Sequence, residues 1–495
     1  MKPKETWAVL EEIPQNTPFM MSVAMQFFLQ EWPDLGLGDK VTKYFTLFDG
    51  DFSKMCFVRK EFEAESDFLS RKMLADPDWS LEVLEKVRIE SHKFFREAKR
   101  FSKLKFANLS NGEMLKAWLV PLGAHRLSHG IGGSVSWQAD VEGERVTKAL
   151  LSMIERQIKR SKLKLSVPEV FSVLSTPLEE SYVKKEEMDL LKLAIKVKSF
   201  GNLKKFEHLL EAHAEKYNWL NYQYKGPAYQ IDYFRDRLEA LLHGYKNAAE
   251  KLLKKINRED KELAAKQKKL AGFLHLDSHQ KKLIQMAKTI VFIKGLRKDA
   301  LYHGMYCYEP FFREVGKRFG LSLDQVRAMN YWEIEDVLRG KKVDADELNE
   351  RLKFCLAWSY RKKYIMYTGR KGRKFLSRIK FEKVDIKNIK ELAGTCACPG
   401  KARGIVKIVN IPEDMDKMKK GDILVSFNTN PNLMPTIRLA SAIVTQSGGL
   451  TCHAAIVSRE LKIPCVVGVK DVVKVFKDGD KASVDATNGI IKKLK

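Results

Sequence analysis

The sequence is poor in the features that most directly announce a function, and each shortage excludes something. Seven cysteines among 495 residues, scattered and odd in number, exclude a disulfide framework. Cys396-Ala397-Cys398 has no second Cys or His pair beside it, so no metal site is expected. No apolar run is long enough to span a bilayer. Met1-Lys2-Pro3-Lys4-Glu5-Thr6-Trp7 holds no apolar signal core, so a cytoplasmic location without membrane attachment is expected. Acidic residues are outnumbered, 63 against 89 Lys and Arg, which leaves a formal net charge of +26. Concentrations at Arg361-Lys362-Lys363 and Arg370-Lys371-Gly372-Arg373-Lys374 could attract nucleic acid, an acidic protein or phosphorylated ligands. No zinc finger or RNA-recognition signature accompanies that charge, so nucleic acid is not the expected partner. A Walker loop and a Gly-x-Gly-x-x-Gly after a strand are missing too. The dense glycine cluster ahead of the C-terminal region, Gly130-Ile131-Gly132-Gly133, lies in helical surroundings and predicts an interhelical loop.

What is present is mostly helix. From residue 1 to about 385 the chain shows helix starts and a 3.6-residue apolar period, with few alternating stretches. Ser110 with Glu113, and Ser322 with Gln325, have capping-box spacing, and Asn330 with Glu333 opens a helix closed by Gly340. Thr176-Pro177-Leu178-Glu179 predicts a start with proline at the first helical position. The stripe Phe234, Leu238, Leu241, Leu242, Tyr245, Leu252 and Ile256 predicts one long helix, or two, from Ile231 to about Leu270. Residues 1–380 thus read as one large, mainly α-helical domain with a sub-lobe boundary near 110. Residues 381–395 are polar, charged and weakly periodic, the composition of a hinge.

The C-terminal residues 396–495 read differently. Ala442-Ile443-Val444-Thr445 is a buried strand, and Pro464-Cys465-Val466-Val467-Gly468 is a second. Between them, Gln446-Ser447-Gly448-Gly449 is a loop whose glycines let backbone N–H groups face a ligand, and Thr451 is a natural N-cap for a helix running to Leu461. The whole is a compact β-α-β unit. His453 falls in the first turn, where orphan N–H groups and the helix dipole disfavour a positive imidazole and favour an anion. It is the candidate phosphate carrier, with Gly448, Gly449, Thr451, Thr429 and Arg459 as candidate phosphate-holding residues.

From about Cys398 to the end the chain resembles the phosphohistidine swivelling, or mobile, domain of phosphoenolpyruvate-utilising enzymes. The stretches that carry the likeness are Pro399-Gly400-Lys401-Ala402-Arg403-Gly404, Gly421-Asp422-Ile423-Leu424-Val425, Thr429-Asn430-Pro431, Ala442–Thr445, the histidine motif, Ser458–Pro464, Asp478-Gly479-Asp480 and Val484–Gly489. Cys398 departs from the small residue usual before Pro-Gly. More weakly, Leu174–Ser181 and Tyr302–Leu338 are similar to the helical domain of rifampicin phosphotransferase-like proteins. The resemblance implies that His453 is phosphorylated and carried between two active sites, and that the helical domain binds a small-molecule phosphoryl acceptor. It also implies an ATP-grasp domain, for which these residues offer no candidate, and a phosphoenolpyruvate-binding barrel is not expected as part of this protein. ATP and Mg²⁺ are therefore expected on a separate ATP-grasp protein, with no cofactor held tightly by this chain.

Acceptor-side candidates are fewer. His125 and His129, four residues apart, could share a helix face beside the glycine cluster, and either could serve as base toward an acceptor hydroxyl. Tyr217, Trp219, Tyr222 and Tyr224 read as core, with the lining of an apolar acceptor pocket as the alternative. The rival to a phosphotransferase is a non-catalytic binding or regulatory protein that keeps the swivelling fold and acts through its basic surface.

Overall fold

The computed structural model describes residues 5–23, 32, 35–50, 52–141, 145–162, 164–200, 206–243, 247–361, 363–382, 389–429, 433–450 and 452–494. Its body is built around helix Ser278–Phe319, 42 residues long, which packs along helices Pro77–Ser102 and Asn111–Gly133. Asp277 and Gln280 form a reciprocal cap at its start. Phe19, Phe101, Trp118, Tyr308, Phe311 and Phe312 interlock where the three helices meet. Helices Tyr182–Phe200, Glu207–Tyr217, Ile231–His243 and Ala248–Phe273 form an annex with its own apolar cluster. The predicted helix from Ile231 is therefore two.

A five-stranded antiparallel sheet closes the body, and the helical reading of residues 1–380 missed it. Strands β1 (Trp7–Pro14), β2 (Lys43–Asp49), β3 (Phe52–Val58), β4 (Phe354–Tyr360) and β5 (Lys363–Thr368) pair in the order β1-β3-β2-β4-β5. Tyr44 and Phe48 of β2 join the main core, while Phe45 and Leu47 join a second cluster with Phe375 and Leu376. Both faces are covered, so the strand lacks the polar alternation that would reveal it.

Two shorter expectations also change. Gly130–Gly133 is not a loop: it is the end of helix Asn111–Gly133, continued by a π-helical turn over Ser134–Gln138. Thr176 ends helix Val167–Ser175, with its hydroxyl on the Ser172 carbonyl, and the next helix starts only at Tyr182. The two predicted capping boxes are formed, and Asn330 precedes helix Tyr331–Leu338 as expected.

The C-terminal sheet has eight strands: β6 (Glu391–Ala393), β7 (Thr395–Cys398), β8 (Lys401–Ile408), β9 (Ile423–Ser426), β10 (Ala442–Thr445), β11 (Cys465–Val467), β12 (Lys481–Asp485) and β13 (Ile490–Lys493). Their order is β6-β13-β12-β8-β9-β10-β11-β7, with β8 through β11 parallel. Of the hinge expected at 381–395, residues 383–388 lie outside the described residues. Phe381 bridges to Trp7, and Glu391–Ala393 is already a strand of the C-terminal sheet. Along β9 and β10, Leu424 and Ile443 face one way, and Ile423, Val425, Ala442 and Val444 the other. The second set builds a private core. The first set, with Leu450, Ala454, Ala455 and Val457, belongs to the same contiguous cluster as the main core of the body. The C-terminal domain is thus docked on the body by the face that carries His453.

Candidate functional site

β10 delivers the chain to Gly448, which has φ +111°. A Cβ there would come within 2.8 Å of Cys452 Sγ and 2.9 Å of its Cβ, so the loop turns on a residue without a side chain. The Cys452 amide donates to the Gly449 carbonyl at 3.0 Å. Cys452 is the N-cap, and His453 is the first residue of helix His453–Leu461. Thr451 lies outside the described residues. Ala454 and Ala455, at 1% and 0% exposure, let the helix lie close on the sheet.

Thr429, just beyond β9, brings its Oγ1 to 3.0 Å from His453 Nδ1. In the tautomer whose Nδ1–H donates to that hydroxyl, Nε2 is the nitrogen that keeps a lone pair. Burial, and secondarily the positive charge of Lys298 on the body, lower the imidazole pKa to about 4, so the ring is neutral at physiological pH. A neutral imidazole at the positive end of a helix, with Nδ1 on the Thr429 hydroxyl, has the chemistry to accept and release a phosphoryl group through its second nitrogen.

Arg459 is engaged with β7. Its Nε donates to the Ala397 carbonyl at 2.9 Å, and Cys396, Cys398, Cys452 and Cys465 lie around the guanidinium. His125 also stands apart. Its ring stacks on Phe94 with centroids 4.5 Å apart, neither nitrogen has a hydrogen-bond partner among the described residues, and burial lowers its pKa to about 3. It packs as an aromatic. His129, one turn on, reaches a cavity of about 50 Å³ lined also by Glu11, Ile13, Met20, Met21, Met55, Gly133, Trp137, Tyr224, Arg297, Lys298 and Leu301. Of the aromatic cluster, Tyr224 reaches this cavity, while Tyr217 and Trp219 are core and Tyr222 bonds Glu309 and Arg327. Glu11, Arg297 and Lys298 were invisible to sequence reading, because they come from a strand and a helix nearly three hundred residues apart.

Residues 418–489 match the family described as PEP-utilising enzyme, mobile domain. Over those residues the C-terminal region is similar to the mobile domain of phosphoenolpyruvate-utilising enzymes. A probable phosphoenolpyruvate synthase of Archaeoglobus fulgidus is 50% identical over 100 residues, which is 20% of this chain and 13% of that protein. The phosphoenolpyruvate synthase of Pyrococcus furiosus is 50% identical over 102 residues, 21% of this chain and 12% of the relative. The likeness thus spans about an eighth of these relatives and stays within the C-terminal region. The holo-form of Thermococcus kodakaraensis aconitase X is similar over 21% of the chain at 21% identity and a TM-score of 0.18, too low to bear on the argument. Among the described residues, no helix is long and apolar enough to cross a membrane.

Proposed function

We propose that this protein is a phosphotransferase subunit in which His453 receives a phosphoryl group from a separate ATP-grasp protein and passes it to an acceptor held by the helical body. The observation that carries the reading is the Thr429 hydroxyl on His453 Nδ1, which leaves Nε2 for phosphorus. Docking of the His453 face on the body supports the second half, since it presents the imidazole beside Lys298. ATP and Mg²⁺ belong to the partner in this scheme, and the backbone around Gly448 and Gly449 holds the phosphate. The swing between partner and body takes place about the segment joining the domains.

The test is labelling. The chain, incubated with ATP, Mg²⁺ and a candidate ATP-grasp protein of the same genome, is expected to gain acid-labile, alkali-stable phosphate that His453→Ala loses completely. Equal labelling of wild type and variant would overturn the proposal.

A further inference from the structure

The glycine run at the end of helix Asn111–Gly133, left over once it proved not to be a loop, has a packing purpose. A Cβ on Gly132 would collide with Cδ of Arg297 and stand 3.2 Å from its Nε. Only a bare backbone lets that arginine lie across the helix. Among the described residues, Arg297 Nε is sealed from solvent without a hydrogen-bond partner, and the same holds for His129 Nδ1. Two buried, unpartnered nitrogens beside one cavity are costly to leave so, and they point to a ligand that satisfies them.

Opposite them, β1 does something equally specific. Trp7, Ala8 and Val9 pair in sequence with Val58, Phe57 and Cys56, but Glu11 pairs with Met55, so Leu10 is an extra residue. The bulge inverts the alternation that follows it. In regular register Glu11 would share the face of Trp7 and Val9, which serves the outer cluster. With the bulge it shares the face of Met55, and both line the cavity. Ile13, Met20, Met21, Trp137 and Leu301 make the remaining wall apolar. With His129 neutral through burial, the cavity holds two cations, Arg297 and Lys298, against the single carboxylate of Glu11.

We propose that this cavity is the phosphoryl-acceptor site and takes a small hydroxycarboxylate, with Arg297 binding the anionic group, Glu11 accepting the hydroxyl proton, and Lys298 shared between the cavity and the phosphoryl group on His453. The proposal rests on His453 as carrier. Lys298 lines the cavity, and its charge reaches the His453 imidazole. In the step itself the acceptor oxygen attacks phosphorus as its proton passes to the Glu11 carboxylate. The O–P bond forms while the P–Nε2 bond breaks, and the electron pair of that bond returns to the imidazole. Burial raises the Glu11 pKa, which suits a base, and the nearby Lys298 and Arg297 oppose that rise.

Binding tests the site without the transfer. Short ω-hydroxycarboxylates and their matching diols are titrated into the full chain by calorimetry. At least one acid is expected to bind about tenfold or more tightly than its diol, since a charge-assisted pair is at stake. Arg297→Gln and Gly132→Ala should each abolish that preference, with Arg297→Lys retaining part of it if the glutamine variant does not fold. Glu11→Gln should keep binding within a few-fold yet lose transfer, and His453→Ala should bind as wild type. That last variant separates the two readings, because a failed carrier leaves acid binding intact. Binding of acids and diols alike, no binding of any acid, or a preference indifferent to Arg297 would overturn the site.

Discussion

The mobile domain and the helical body each bury histidines, and the same physical pressure yields opposite chemistry in the two. Burial lowers the pKa of His453 to about 4 and of His125 to about 3, so both rings are neutral near pH 7. His125 has no partner at either nitrogen and is stacked flat on Phe94. His453 has one nitrogen oriented by Thr429 and stands at a helix start beside a glycine turn. Desolvation alone makes a neutral ring. The proposed nucleophile needs in addition an oriented tautomer at an anion-welcoming backbone.

The contrast can be broken by substitution. His453→Ala should abolish phosphate carriage while the chain still unfolds cooperatively near its wild-type midpoint, since the half-buried ring starts a helix; labelling and calorimetry check both halves. Gly448→Ala should come next. It forces a side chain into positive φ and against Cys452, for about 1–3 kcal/mol of strain, and the displaced loop should slow labelling by about tenfold or more. Thr429→Val keeps the shape and removes the hydroxyl, so the tautomer is no longer held. A fall of about tenfold in labelling rate is expected, on the scale of one lost hydrogen bond, without comparable loss of stability.

His125→Phe sharpens the other side. It replaces an unsatisfied buried ring by an apolar one, so denaturant midpoints should hold or rise, by up to about 1 kcal/mol, with labelling unaffected. The smallest effect concerns acid. Both histidines have folded pKa values below the unfolded value near 6.5, so the unfolded chain binds more protons between those limits. Their contribution to stability is complete above pH 6.5, declines as pH falls, and levels off below about 4 for His453 and about 3 for His125. His125→Phe should therefore flatten part of the acid loss measured by denaturation between these pH values.

Much of the mobile domain was legible because its signals are local. Ala442–Thr445, the glycines, His453 and Cys465–Val467 lie within some twenty-five residues, and the β-α-β unit they form needs no distant partner. The body's sheet was illegible for the converse reason. β2 pairs with β4 across roughly three hundred residues, and strands covered on both faces show no alternation. The sequence reading included Thr429 through the matching stretch Thr429-Asn430-Pro431, but not its bond to Nδ1. It also made Arg459 a phosphate candidate, although six residues along a helix carries a side chain about 9 Å from the start, and here to the Ala397 carbonyl. Glu11 owes its position to a bulge, a backbone event with no residue signature in this strand.

Everything turns on which atom of His453 bears phosphorus. Phosphorus NMR of the labelled, undenatured chain, compared with the two phosphoimidazole isomers, measures this directly. The account predicts the Nε2 isomer alone, with Nδ1–H held on the Thr429 hydroxyl. An Nδ1 phosphate, or phosphate on another side chain with His453 bare, would contradict it.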